Sequence, residues 1–367
     1  MKELNSCPFH LKDDSIRILW EITPRCNMNC KHCLFFQANQ KGVQQELSTK
    51  EVMQMIHHIA EDKSVKAIWL SGGEPLLRQD IVSVCQEITN CGMEPSLSTN
   101  GVLLTPELIY DLHQAGVNYM HLSLDGANAE THNRLRGVPF AYEQLMKVMD
   151  WLKDSPIRIG ASFMVTEESI DEVEDVIQIA LEKKLSVMSF YLVAELGRGA
   201  SNFAEDKHSL AKRLSEKIEK IEEKQKRTEE SLTIEVFRAD QLAKGEEGIL
   251  QECKGDHFLN ITYDGKLGAC PWLMKSEHGF TVGSLLEDNF LVLKEKCQSK
   301  MKQKIKERRE NISFCQECSH QLDCGKGCVA LQSNENGLYL GLDPICPEWG
   351  KRKVAAQLLA NSLGEVQ

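Results

Sequence analysis

From about Ser15 to Gly199 the apolar and polar positions alternate between two textures. Short β-rich runs recur at Ile16–Ile22, Val65–Leu70, Pro95–Ser98, Tyr119–Leu124, Ile157–Val165 and Val187–Val193. Helical periodicity fills the segments between them. Ser48-Thr49-Lys50-Glu51 fits a capping box, and Val52, Met55, Ile56 and Ile59 follow on one face. Another helix opens at Thr105, with Pro106 in its first turn and Leu108, Ile109 and Leu112 inside. Further helices are expected near Ile81–Thr89, Tyr142–Leu152 and Ile170–Lys183. Six β-α units of about 30 residues each predict an α/β fold of parallel strands joined by right-handed helical crossovers. Six are fewer than the eight of a closed barrel, so a partial (β/α)6 barrel or an open sheet is expected, with chemistry at the C-terminal strand ends.

After Gly199 the pattern changes. Ser201 to Gly245 is dense in Lys and Glu and reads as a solvated helical connector, and Lys294 to Glu310 is a second, basic helical stretch. The composition adds a formal charge of −11, which argues against a nucleic-acid binder with a broad basic face. No run approaches the roughly 18–20 apolar residues of a membrane helix, and the first twenty residues lack a signal pattern, so a soluble cytoplasmic protein is expected. In that reducing setting, 14 cysteines point to metal or redox chemistry before disulfides.

Apart from Cys85 and Cys91, the cysteines sit towards the two ends of the chain. Cys26, Cys30 and Cys33 lie directly after the first predicted strand. Three thiolates this close suit a cubane with one iron left open, or a zinc site completed by His32 or a distant residue; spacing does not separate the two. The second strand ends in Ser71-Gly72-Gly73-Glu74-Pro75. Its paired glycines allow close backbone approach to a ligand, and Glu74 offers a carboxylate to a cationic group, which favours the cubane.

In these motifs the chain resembles the radical S-adenosylmethionine (radical SAM) enzymes, whose C-x3-C-x2-C loop follows the first strand and whose Gly-Gly-Glu-Pro follows the second. The resemblance continues through Ser98-Thr99-Asn100-Gly101 and Ser123-Leu124-Asp125-Gly126 and spans roughly Ile16 to Gly199. It implies that Cys26, Cys30 and Cys33 hold a [4Fe–4S] cluster whose open iron chelates SAM. Glu74 and the Gly72–Gly73 backbone would bind the methionine ammonium, and His32 would lie against the adenine. Ser123 and Arg136 match positions near the ribose or carboxylate, while Asn100 and Asp125 match positions that also serve simply to stabilise their turns.

Towards the other end, Cys315-x2-Cys318-x5-Cys324-x3-Cys328 is preceded by Cys253, Gly265 and Cys270 and followed by Cys346. This order resembles the SPASM extension of radical SAM enzymes, which implies two auxiliary [4Fe–4S] clusters. Cys315, Cys318, Cys324 and Cys346 would complete one, and Cys253, Cys270 and Cys328 would hold the other. Seven ligands leave an eighth to Asp256, to His257, to another cysteine or to an open iron that binds substrate. The alternative is a pair of zinc sites. Cys85 falls on an apolar helical face and reads as core; Cys7, Cys91 and Cys297 have no assigned role.

The implied boundaries are an extension over 1–15, the radical SAM partial barrel over 16–199, the connector over 200–247, the SPASM domain over 248–350 and a helical tail over 351–367. The family implies an enzyme that cleaves SAM and abstracts hydrogen from a peptide or protein substrate, such as a ribosomally made precursor, with a flavodoxin or ferredoxin as reductant. Only fifteen residues precede the first strand, so peptide recognition would fall to a separate protein or to the SPASM surface. The alternatives are radical modification of a tetrapyrrole, since Gly197-Arg198-Gly199 is similar to the haem-pathway branch, and an iron–sulfur carrier or scaffold without catalysis.

Overall fold

A computed structural model describes residues 15–35, 46–193, 197–203, 207–225, 232–237, 258–275 and 280–311, together with Cys318, Cys324 and Cys346. Every apolar run of the first half becomes a strand: β1 (Ile16–Thr23), β2 (Val65–Gly72), β3 (Glu94–Thr99), β4 (Tyr119–Ser123), β5 (Arg158–Val165) and β6 (Val187–Leu192). They lie side by side in chain order, each parallel to the next. The crossovers carry α1 (Thr49–Ala60), α2 (Ile81–Asn90), α3 (Pro106–Gln114), α4 (Ala129–Arg136), α5 (Ala141–Lys153) and α6 (Val173–Glu182). A sheet wound in one direction by right-handed crossovers keeps its helices on one face and curls as the wall of a barrel.

Local chemistry fixes the helix starts. Ser48 accepts from the Glu51 backbone N–H, and Glu51 accepts in return from the Ser48 backbone N–H. Thr105 caps α3 through Leu108. The helix α4 is not foreshadowed by apolar periodicity, because its buried residues are Thr131, His132, Leu135 and Arg136. Its signals are instead Asn128 as N-cap and left-handed Gly137 at its end.

The sheet continues past six strands. Beyond the one-turn helix α7 (Gly199–Asn202) and the long helix α8 (Lys207–Gln225), β7 (Thr233–Phe237) joins parallel to β6. On the opposite edge, β8 (Phe258–Ile261) pairs parallel with β1, and β9 (Lys266–Gly268) and β10 (Thr281–Ser284) follow antiparallel. The helices α9 (Pro271–Lys275) and α10 (Phe290–Asn311) flank these last strands. Among the described residues the ten strands form one open sheet, which β8 to β10 extend from the β1 edge.

Strand alternation sorts side chains to two faces. Ile16, Ile18, Trp20 and Ile22 of β1 join Val52, Met55, Ile56 and Ile59 of α1 in the main core. On the other face Leu19, Trp69, Tyr119 and Val187 form a separate cluster, with Trp69 edge-on to Tyr119 at 5.5 Å. The Tyr119 hydroxyl meets His121 Nδ1 at 3.0 Å, and burial lowers His121 to about 4. Arg158 lies over the Tyr119 ring at 5.8 Å, so apolar and polar side chains share this face. Among the described residues no helix is long and apolar enough to cross a membrane.

Candidate active site

Because β1–β6 are parallel, the loops that follow them converge on one rim of the sheet. The cysteine loop follows β1, Glu74 follows β2, Asn100 follows β3 and Asp125 follows β4. At Gly72, with φ +119°, a Cβ would lie 2.5 Å from the Thr23 carbonyl, and at Gly73 one would lie 2.0 Å from the Arg25 carbonyl. The glycine pair thus lets the β2 end run against the root of the cysteine loop. Gly73 N–H donates to Thr23 O at 2.8 Å and Glu74 N–H to Arg25 O at 2.7 Å.

Glu74 is fully enclosed. Its carboxylate accepts from Thr99 Oγ1 at 2.7 Å, Asn100 N at 2.8 Å and Leu76 N at 3.1 Å. Three donors leave room for about one more on its two oxygens. Burial lifts its pKa above the ordinary range despite those donors. Asn100 also donates from Nδ2 to Asn27 Oδ1 at 2.8 Å and accepts from Val102 N. It both stabilises its turn and ties that turn to the cysteine loop.

The loop is clasped from two further sides. The α4 C-terminus accepts from it, Asn29 N donating to Arg136 O at 3.2 Å and Lys31 N to Leu135 O at 2.9 Å. From beyond β6, Arg198 N donates to Cys33 O at 3.0 Å, Arg198 Nη1 to Cys30 O at 3.2 Å and Asn202 Nδ2 to Lys31 O at 2.8 Å. A Cβ on Gly197 would fall 2.3 Å from Cys33 O. The Gly197-Arg198-Gly199 motif is therefore engaged in holding the cysteine loop.

Asp125 organises the floor beside Cys30. Its Oδ2 faces Arg136 Nη2 at 2.6 Å and His32 Nε2 at 3.2 Å, while Oδ1 accepts from Met164 N at 2.8 Å. Burial alone would raise its pKa, but the Arg136 and His32 side chains outweigh that and hold it well below the usual carboxylate range. The Asp125 backbone N–H donates to Nδ1 of buried His132, which burial and Arg136 lower to about 3. Arg136 also reaches Cys30 Sγ with Nη1 at 3.6 Å. Ser123, at the β4 end, is half-buried and in register with Ser162.

Two buried atoms in this floor, His32 Nδ1 and Arg136 Nε, have no hydrogen-bond partner, as expected where a polar ligand belongs. Cys26 keeps exposed surface, yet the dense protein around it and the negative charge of Cys30, Glu74 and Cys33 push its thiol up to about 11. Such crowding of anionic donors favours a cationic centre. Three thiols offered by one loop, beside buried polar atoms left without a partner, fit an iron–sulfur cluster with a polar ligand next to it.

Comparison with known proteins agrees. Residues 20–180 match the model of the radical SAM superfamily. The chain carries a radical SAM domain. Over 342 residues it is 28% identical to an AdoMet-dependent heme synthase of Methanosarcina barkeri, covering 90% of this chain and 95% of that one. It is equally 28% identical to mycofactocin maturase MftC of Mycolicibacterium smegmatis, covering 92% of this chain and 84% of that one. Among solved structures, Streptococcus suis SuiB bound to S-adenosylmethionine superposes with a TM-score of 0.73 at 15% identity, covering 91% of this chain and 77% of that one. The last likeness is one of fold.

Of the C-terminal cysteines of this radical SAM enzyme, Cys324 is buried in the main core, Cys270 and Cys346 pack against it, and Cys318 is half-buried. Cys253, Cys315 and Cys328, with Asp256 and His257, lie outside the described residues. Cys270 immediately precedes α9, whose last residue, Lys275, reaches back to β1. Lys275 Nζ meets Glu21 Oε2 at 2.8 Å with both side chains buried, and Asn260 of β8 donates to Glu21 Oε1 at 3.0 Å. Lys275 also lies 5.8 Å from the ring of Phe35, just past Cys33. Sequence reading missed this pair because its members stand 254 positions apart without a motif. Breaking a buried ion pair strands the remaining charge, so Lys275→Met should cost on the order of 3 kcal/mol in denaturant unfolding. Glu21→Gln with Lys275→Met should recover most of that loss.

Proposed function

We propose that Cys26, Cys30 and Cys33 hold the [4Fe–4S] cluster of this radical SAM enzyme and that the rim from Glu74 to Arg136 binds SAM. The observation that carries the reading is the set of groups around one loop: the thiols of Cys26, Cys30 and Cys33, a buried Glu74 with an acceptor position to spare, and unpaired His32 Nδ1 and Arg136 Nε. When bound, cluster and SAM supply a 5′-deoxyadenosyl radical that takes a hydrogen atom from the substrate. Glu74 would accept from the methionine ammonium, Arg136 would face the carboxylate, and His32 would lie against the adenine. Asp125 keeps Arg136 and His32 in place, and Ser123 and Asn100 border the same cleft. Arg198, Asn202 and the α4 carbonyls hold the loop that carries the three cysteines.

Cys315, Cys318, Cys324 and Cys346 are proposed to carry one auxiliary [4Fe–4S] cluster, and Cys253, Cys270 and Cys328 the other, within a SPASM domain over 248–350. The substrate in this reading is a peptide or protein, oxidised or cross-linked with loss of hydrogen, and the electron comes from a flavodoxin- or ferredoxin-like donor. The maturase among its full-length relatives supports this. A second reading, modification of a tetrapyrrole, is favoured by the heme synthase that matches at the same identity over nearly its whole length. The test is mass spectrometry after anaerobic reconstitution with SAM and dithionite, offering the peptides encoded beside the gene and, separately, an iron porphyrin with propionate side chains. Loss of hydrogen from a peptide supports the first reading; an unchanged peptide with a decarboxylated porphyrin replaces it with the second.

A further inference from the structure

Cys91 plays no part in the chemistry above, yet it is not isolated. The crossover topology places the C-terminal ends of α1 and α2 at the rim where the strands begin, opposite the cysteine loop. There His57 from the last turn of α1, Glu87 of α2 and Cys91 just beyond α2 converge, one ligand atom of each lying within 4.8 Å of the others. Among the described residues no other group of three His, Cys, Asp or Glu side chains gathers this closely.

The donors are held as metal ligands usually are. His57 Nε2 is aimed at Glu87 Oε1. The other Glu87 oxygen accepts from Asn90 Nδ2 at 3.2 Å, and Asn90 Oδ1 accepts from Gln86 Nε2 at 3.1 Å. This outer layer fixes the carboxylate independently of any ion, as the partners of metal-bound carboxylates do. Cys91 is half-buried and brings its sulfur to the same pair.

We propose that His57, Glu87 and Cys91 form a mononuclear site for a borderline-soft divalent cation, zinc above all, that pins α1 to α2 at the rim opposite the reaction. One nitrogen, one carboxylate oxygen and one thiolate suit zinc, with water as fourth ligand. The thiol proton leaves to solvent as the metal binds, and no electron is transferred. The site is independent of the iron–sulfur reading, since none of its ligands belongs to either cysteine cluster.

The test uses anaerobically purified holoenzyme, alkylated with iodoacetamide with and without Zn²⁺, with modification of the Cys91 peptide followed by mass spectrometry. Zinc should slow alkylation at Cys91 at least about tenfold, because a metal-bound thiolate is shielded. His57→Ala and Glu87→Gln, both surface changes, should each bring the ratio of the two rates close to one. An unchanged Cys91 rate with zinc overturns the proposal. Protection that persists in both variants overturns it equally, since the ion would then be held by the cysteine alone.

Discussion

Replacing Gly73 by alanine is expected to remove nearly all SAM cleavage while leaving a folded chain. The added methyl would stand 2.0 Å from the Arg25 carbonyl and 2.5 Å from its carbon, both backbone atoms, so it cannot be accommodated by a side-chain shift. The β2 end must move away from the β1 end. Two hydrogen bonds then break, Gly73 N–Thr23 O and Glu74 N–Arg25 O, and they are the ones that set the cysteine loop against Glu74. A displacement of about 1 Å at a reacting centre costs on the order of 10²-fold in rate. The check is 5′-deoxyadenosine production alongside circular dichroism: activity should fall by about that factor or more, while the helical signal of the outer layer stays. Alanine at Gly92 is the control: at φ +81° it strains the backbone, but its Cβ meets nothing within 4 Å, so it should lower stability without lowering SAM cleavage.

The second large effect belongs to Asp125. Asp125→Ala removes the partner of Arg136 at 2.6 Å and of His32 at 3.2 Å and leaves Met164 N–H without its acceptor. Arg136 stays buried against Cys30 with no counter-charge, so the substitution should cost about 4–5 kcal/mol, at the upper end for a broken buried pair. Asp125→Asn keeps an acceptor for Met164 but loses the charge, and should fall between the two in denaturant unfolding. Because Arg136 and His32 outweigh burial and hold the Asp125 carboxyl well below its usual range, its contribution is fully present at neutral pH, fades as the pH falls below the ordinary carboxylate range and is lost once acid reaches the depressed value. If Asp125→Ala unfolds at wild-type denaturant concentration, the hub described here does not operate.

Much of this was legible in the sequence, for physical reasons that differ by element. The six inner strands are continuous apolar runs because parallel strands are buried on both faces, and the observed bounds depart from the expected ones by one or two residues. The capping box at Ser48 and the Pro106 start are local signals that tertiary packing did not override. Cys85, read as core from its helical face, is fully buried and its thiol is pushed up by that burial.

What escaped was whatever depends on long-range pairing. The strands β7 and β8 are short and sit among charged or cysteine-rich neighbours, and only their pairing with β6 and β1 makes them strands. The helix α4 buries polar side chains against the active rim, so its pattern carries no apolar stripe. Asp125 reads as a turn former in sequence because the partners that make it a hub, His32 and Arg136, come from the β1 loop and α4. Arg198 was visible as part of Gly197-Arg198-Gly199, but its contacts with Cys30 and Cys33 arise only when β6 is laid in the sheet. A motif marks the residues proposed for the site, whereas those that hold the motif in place needed the fold.

The central claim is that the Cys26–Cys33 loop with Glu74 cleaves SAM reductively. The most direct measurement is 5′-deoxyadenosine formation by anaerobically reconstituted protein with dithionite and SAM, run beside Cys30→Ala. The wild-type chain should release 5′-deoxyadenosine, and the variant should release none while keeping the iron of any auxiliary clusters. Absence of 5′-deoxyadenosine from fully iron-loaded wild-type protein, or its undiminished release by Cys30→Ala, would contradict the account.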